Sequence, residues 1–205
     1  MLREPLQPSF YQLPTLELAQ ALLGKLLIKV TSEGVASGWI VETEAYIGPI
    51  DKAAHSYNNR RTKRTEIMFG SPGSIYTYLM HTHCLVNVVS GGIDQPEAVL
   101  IRALEPVDGI ELMYERRGLE KKLYELTNGP GKLTKALGIT MNDYGKHFYK
   151  GDLVIADGIE VERISAGPRI GIHNSGEAVH YPWRFWITGN RFVSGKKNLE
   201  KDSHS

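Results

Sequence analysis

Apolar residues alternate with polar ones over many short stretches of this chain and recur at helical spacing over only a few, an imbalance that restricts the available folds more than any other feature. "KLLIKV" and "ASGWIVETEAYI" flank the turn signal "SEG" and read as the two arms of a hairpin. "SIYTYLM", "CLVNVVS" and "AVLIRALEP" read as further strands, and "KGDLVIADG", "PRIGIHN" and "YPWRFWITGN" as late ones. Helical patterns are confined to the segment opening "PTLELAQALL", to "DGIELMYERRG" and to "GPGKLTKALGI". Strands thus outnumber helices and follow one another as hairpins instead of βαβ units. The expected class is α+β, a single mixed domain whose curved, mainly antiparallel β-sheet is surrounded by helices and long loops. Residues 1–205 are read as that one domain, with a frayed polar tail from about residue 194.

A chain of 205 residues with 41% hydrophobic content can bury a real core. Lys+Arg 24 against Asp+Glu 23 leaves a net charge of +1, so a basic surface has to be local. The single cysteine, Cys84, excludes an internal disulfide framework. No apolar run reaches membrane-spanning length, and "MLREPLQPSF" lacks the apolar core of a signal peptide. The expectation is a soluble cytoplasmic protein without a membrane partner. From Gly48 to Gly73 the apolar pattern lapses, and so long an excursion inside a compact domain reads as a functional loop.

Two acids interrupt the apolar second strand. On an extended strand Glu42 and Glu44 project to one face, with Cα atoms about 6.6 Å apart at roughly 3.3 Å per residue, while Val41, Thr43 and Ala45 take the other. They are either an exposed polar face over a half-buried sheet or the mark of a catalytic carboxylate. The second reading draws on the position of Glu44 near the strand end, followed by Tyr46 and a Gly-Pro turn, where a side chain reaches into a cleft.

Arg60, Arg61, Lys63 and Arg64 in "NNRRTKRTE" suit phosphate contacts or are simply solvated. Lys132 and its neighbouring glycines open a helix in a way that suits a phosphate oxygen, without the spacing of a nucleotide-hydrolysing loop. His81 and His83 form a His-x-His pair, but no third ligand has convincing spacing, so no metal is expected. Tyr76 and Tyr78 share a strand face and read singly as core; His55 in "AAHS" is ambiguous alone.

Taken in order, "VETEAYIGPIDKAAHS", "MFGSPGSIYTYL", "VLIRALEP", "GPGKLTKALGI" and "RIGIHNSGEA" resemble the alkyladenine (3-methyladenine) DNA glycosylase family, from about Leu13 to "RFWITGN". The resemblance implies a single-domain mixed α/β fold with neither metal nor organic cofactor. It implies a monomeric enzyme that flips damaged alkylated or deaminated purines out of double-stranded DNA and hydrolyses the N-glycosidic bond, at the nucleoid if the source is bacterial. By position, Glu44 matches the residue that activates water and Glu42 has no catalytic match. Arg102 matches an arginine that helps hold water and flipped nucleotide. Tyr46, His55 and Tyr78 match the stacking pocket, Asn87 a residue that disfavours guanine, and Ile170 a backbone contact to water or nucleotide. Thr62, Met68 and Lys132 match DNA-contacting positions. The hairpin tip departs from the family pattern: it reads "LMHTHC", one residue short, so the wedge that fills the vacated stack is either Met80 or His81. No lysine has a Schiff-base context, and no strand-cleaving lyase activity is expected.

Two other functions share parts of this pattern. A glycosidase of free nucleosides would use the same carboxylate logic but not the basic loop. A non-catalytic nucleic-acid-binding module would use the basic loop but not Glu44.

Overall fold

The computed structural model describes residues 3–195, and its central element is a 13-residue strand, β2 (Gly34–Tyr46). β1 (Leu26–Thr31) pairs with the first half of β2 across a tight turn, Thr31 opposite Gly34. β5 (Glu97–Asp108) runs along the other edge of β2, followed outward by β4 (His83–Ser90) and β3 (Ile75–Met80). β6 (Leu153–Ala156) lies beyond β1. β8 (Arg184–Ile187) takes the stretch of β2 that β1 leaves unpaired, Glu42 to Glu44, and carries β7 (Ile164–Gly167). Every one of these pairings is antiparallel.

The β2–β5 ladder shifts register between Ser37 and Gly38 and again on both sides of Glu42, which leaves Val41 and Arg102 without a Cα partner. Bulges of this kind bend a strand and re-aim its side chains. Here they curl the sheet and direct Arg102 at both Glu42 and Glu44.

Among the described residues three α-helices cover one face: α1 (Thr15–Ala21), α2 (Ile110–Arg117) and α3 (Pro130–Leu137). Leu18, Met113, Leu133 and Leu137 from these helices pack on Ile40, Val86, Ile101 and Leu104 of the sheet in the main core. Period 2 turns the alternate residues to the opposite face, where Tyr76, Tyr78, Leu85 and Leu100 form a second cluster with Met68. The excursion after β2 folds over this second face in short 3-10 turns and inserts Met68 into it.

The expected hairpins and helices are present, with one exception. "PRIGIHN" is not a strand; β7 lies just before it. Strand pairing is unavailable there because the Ile170 N–H is taken by the Glu44 carboxylate, Arg169 is buried, and Gly171 adopts φ +82°. Ser194, read as the first residue of a frayed tail, is buried and bonded to Glu42; the rest of that tail, 196–205, lies outside the described residues. No described helix is long and apolar enough to cross a membrane.

Candidate active site

The exposed-face reading of the two acids is overturned: Glu42 and Glu44 are both 0% exposed. Burying a carboxylate is costly unless its oxygens are bonded and its charge is matched, and both conditions are met. Glu42 Oε1 accepts from Arg102 Nε (3.2 Å), Arg184 Nη1 (3.1 Å) and Ser194 Oγ (2.9 Å), and Oε2 accepts from the Ser194 N–H (2.7 Å). Glu44 Oε1 accepts from the Ile170 N–H (2.7 Å), and its Oε2 from the Tyr46 hydroxyl (2.8 Å) with Arg102 Nη1 at 3.2 Å. Arg102 therefore bridges two acids, a task that needs the fixed fork of a guanidinium. An ionised carboxylate has about four lone-pair sites, so these three donors leave Oε1 of Glu44 able to accept one more hydrogen bond.

Tyr46, Arg102 and Ile170, the three groups that hold Glu44, line a cavity of about 430 Å³, within the roughly 300–1,000 Å³ span of small-molecule sites. Its floor is a cross-strand row, Leu100 opposite Asn87 opposite Tyr76, with Leu100 also opposite Glu44. Asn87 is fixed by donating from Nδ2 to the Tyr76 carbonyl (3.0 Å). The His55 ring stands edge-on to Tyr78 at 4.6 Å and shares a 2.8 Å hydrogen bond between Nδ1 and the Tyr76 hydroxyl. Tyr76, read singly as core, is thus both buried and part of the site.

The aromatic groups of the cavity wall are held neutral. Burial, reinforced by the nearby Arg64 and Arg60 guanidiniums, lowers His55 to a pKa of about 4, so the ring is neutral at neutral pH. Burial and the Glu44 carboxylate push the Tyr46 hydroxyl well above its ordinary value, and burial first, then Glu44, raises Tyr78 to about 12. Tyr46 is held as a donor to Glu44.

The candidate DNA contacts are distributed unevenly. Arg60, Lys63 and Arg64 are exposed, and the influence of Arg60 and Arg64 on His55 locates their charge near the cavity. Arg61 is exposed too but engaged within the protein, to Glu66 (2.6 Å) and Asp94 (3.2 Å), with its guanidinium over the Phe69 ring. Thr62 is half-buried and bonded to Thr65. Met68 is not on the outer surface: it is buried and lines the cavity. Lys132 donates to Asn128 Oδ1 (2.8 Å) beside Pro130, which lies at the cavity. At the hairpin tip Met80 is opposite His83, lines the cavity and is 44% exposed, while His81 takes the turn itself at φ +56°.

Several residues of the site escaped sequence reasoning. Asp51 and Arg169, both buried, form a two-pronged ion pair, and Arg184 and Ser194 complete the shell of Glu42. Their signal was an arginine inside an apolar stretch, in "PRIGI" and "WRFWI", the counterpart of the acids in "VETEAY". No group of three or more His, Cys, Asp or Glu with metal-holding geometry occurs among the described residues, and His81 and His83 do not converge on a third ligand there.

Residues 9–191 match the family described as methylpurine-DNA glycosylase. The chain is 67% identical over 191 residues to a Bacillus licheniformis protein named "Putative 3-methyladenine DNA glycosylase", covering 93% of this chain and 97% of the relative. It is 64% identical over 192 residues to a Bacillus subtilis protein of the same name (94% and 97% covered) and 56% identical over 191 residues to one from Oceanobacillus iheyensis (93% and 96% covered).

Two stability measurements follow from this arrangement. Glu42→Gln removes the charge that two buried guanidiniums face, and urea unfolding should show a loss of about 3–5 kcal/mol; a loss below about 1 kcal/mol would mean solvent or Glu44 neutralises both arginines. His55 binds a proton less readily folded than unfolded, so its contribution to stability is present above its ordinary value of 6.5 and is lost as pH falls toward about 4. His55→Gln should flatten the stability–pH curve across that window, and an unchanged slope would show that the ring titrates alike in both states.

Proposed function

Because the chain belongs to the methylpurine-DNA glycosylase family, we propose that it excises alkylated or deaminated purines from duplex DNA, hydrolysing the N-glycosidic bond with a water held by Glu44. The observation that carries this reading is a buried carboxylate with one oxygen still able to accept a hydrogen bond, held by three residues that line an aromatic-walled cavity.

A purine taken out of the stack enters between Tyr46 and the His55–Tyr78 pair, where ring faces attract an electron-poor, alkylated base. With an N-alkylated purine, as the bond from C1′ to the purine nitrogen lengthens the electron pair leaves with the base, which neutralises its cationic ring without an acid. Positive charge moves onto the sugar, opposite the Glu44 carboxylate. Water then bonds to C1′ through its oxygen and gives its proton to Glu44. Tyr46 and Arg102 hold Oε2, so Oε1 is the basic atom. Asn87, fixed through Tyr76, bars purines with a group at its position, and the Ile170 N–H keeps the carboxylate turned to the cavity. Among the described residues lining the cavity there is no lysine, which supports hydrolysis by water and an unbroken strand.

Arg60, Lys63, Arg64, Thr62 and Lys132 meet the phosphates around the flipped nucleotide. Met80, apolar and at the cavity rim, is the better wedge than His81, whose backbone is occupied in forming the turn.

Glu44→Gln keeps the shape of the site while removing its charge. It should bind lesion-containing duplex nearly as well as the parent and release the base at least about 100-fold more slowly in single turnover. Parental rates in a folded Glu44→Gln would reject the assignment, and release from free nucleosides as fast as from duplex would favour a nucleoside glycosidase.

The basic loop gives a second test. Changing Arg60 and Arg64 together to Ala should lower the slope of log affinity against log salt by about 2, since each phosphate contact contributes about 0.9. Arg61→Ala should change it less, because its guanidinium is neutralised by Glu66 and Asp94. Equal effects of the two changes would show that these pairs open on DNA.

A further inference from the structure

We infer that Arg169 is a positioning residue for the reaction: it fixes the Ile170 N–H on Glu44 and the Tyr46 ring beside the cavity. The inference rests on the reading of Glu44 as the group that activates water.

Residues 168–175 form neither helix nor strand, and from Ile170 onward they line the cavity, so no backbone ladder holds the Ile170 N–H in place. The Arg169 guanidinium stands in for one. Its Nη1 and Nη2 donate to the two Asp51 oxygens (2.5 and 2.8 Å), Nη1 also donates to the Ala45 carbonyl (2.8 Å), and Nη2 to the Ala178 carbonyl (3.4 Å). The same group lies over the Tyr46 ring at 4.6 Å and near the Trp183 ring at 5.1 Å.

These partners come from three segments that meet around the cavity. Ala45 lies between Glu44 and Tyr46 at the end of β2. Asp51 accepts the N–H groups of Ile47 and Ala53 and so shapes the loop that leads to His55. Ala178 and Trp183 lie on the return to β8, and the Trp183 carbonyl accepts the Ala45 N–H (2.9 Å). One side chain therefore ties together the carboxylate's strand, the stacking ring and the loop whose next peptide N–H donates to the carboxylate. A purely structural ion pair would need only Asp51. Lysine, a compact ammonium on a flexible stem, cannot make the two-pronged contact and keep the ring faces as well.

The test compares Arg169→Lys and Asp51→Asn with the parent, in both wild-type and Glu44→Gln backgrounds, by thermal unfolding, binding to a methylated duplex and single-turnover base release. A positioning role predicts folded variants that bind within about 3-fold of the parent and release base at least about 10-fold more slowly, since misplacing a catalytic group by about 1 Å can cost 100-fold. In the Glu44→Gln background the same changes should alter the residual rate by less than about 2-fold, because both act on one carboxylate. Rates within about 2-fold of the parent, or an equal loss in both backgrounds, would reduce Arg169 to a stabilising residue. If Arg169→Lys does not fold, Asp51→Asn, which keeps size and leaves Arg169 its two carbonyls, carries the same comparison; failure of both to fold would also make the pair structural. A parental rate in Glu44→Gln alone would overturn the Glu44 assignment, and this inference with it.

Discussion

Three carboxylates buried in one short stretch of chain, Glu42, Glu44 and Asp51, set the terms for the rest of the molecule. Unmatched, each would cost several kcal/mol or would take up a proton. The guanidiniums that match them, Arg102, Arg184 and Arg169, come from 60, 142 and 118 positions away. Topology answers that demand directly. β5 lies along β2 to deliver Arg102, β8 joins β2 at Glu42–Glu44 to deliver Arg184, and the segment before β8 delivers Arg169. The end of the described chain closes the shell, with Ser194 on Glu42. The site cannot be complete until these late segments have docked, which makes its assembly a property of the whole fold.

As a source of stability such a network is a poor choice, because well-packed apolar residues often do as well or better. What it supplies is orientation. Glu42 takes no part in the cavity lining, yet by holding Arg102 from the far side it keeps Nη1 on Glu44. Glu44 in turn is approached from a strand partner, a neighbouring ring and a loop N–H, so its carboxylate cannot rotate without breaking at least one bond. Donors already in place at a reacting group need not reorganise during the reaction.

The strands and helices were largely legible because the sheet has one helix-covered face and one half-lined by loops, so period 2 survives in the sequence. The pairing of Tyr76 with Tyr78 and of Glu42 with Glu44 followed from that alone. The site was harder to read, for identifiable reasons. The bulges around Glu42 insert Arg102 between the acids, and no local pattern announces a bulge. "PRIGIHN" has the alternation of a strand, but its N–H and its arginine are committed to partners over a hundred residues distant. Met68, matched to a DNA-contacting position through the family resemblance, is apolar inside an irregular loop, where spacing says nothing of direction, and the structure places it in the cavity lining. The stronger clue was charge itself: Arg102, Arg169, Arg184, Glu42 and Glu44 each interrupt apolar stretches, and buried charges have to be paired.

The electrostatics of the proposed reaction pose two opposed demands, since the duplex is a polyanion while an alkylated purine is a cation. The fold keeps them apart by one ring. Outside His55, the exposed Arg60 and Arg64 suit phosphates. Inside it, the aromatic hydroxyls stay protonated, and the one guanidinium in the lining, Arg102, is matched by Glu42 and Glu44. His55 itself is kept neutral by burial and by those same outer arginines, so the positive rim does not extend into the cavity through an imidazolium. In the proposed reaction a cationic base meets ring faces once it has passed the rim, with the Glu44 carboxylate held behind Tyr46, Arg102 and Ile170 of the lining, whereas the backbone meets guanidinium groups. In that proposal attraction for the strand and attraction for the lesion rest on different side chains, so a change in the basic loop should alter affinity for all duplexes and a change in the ring wall the choice of base.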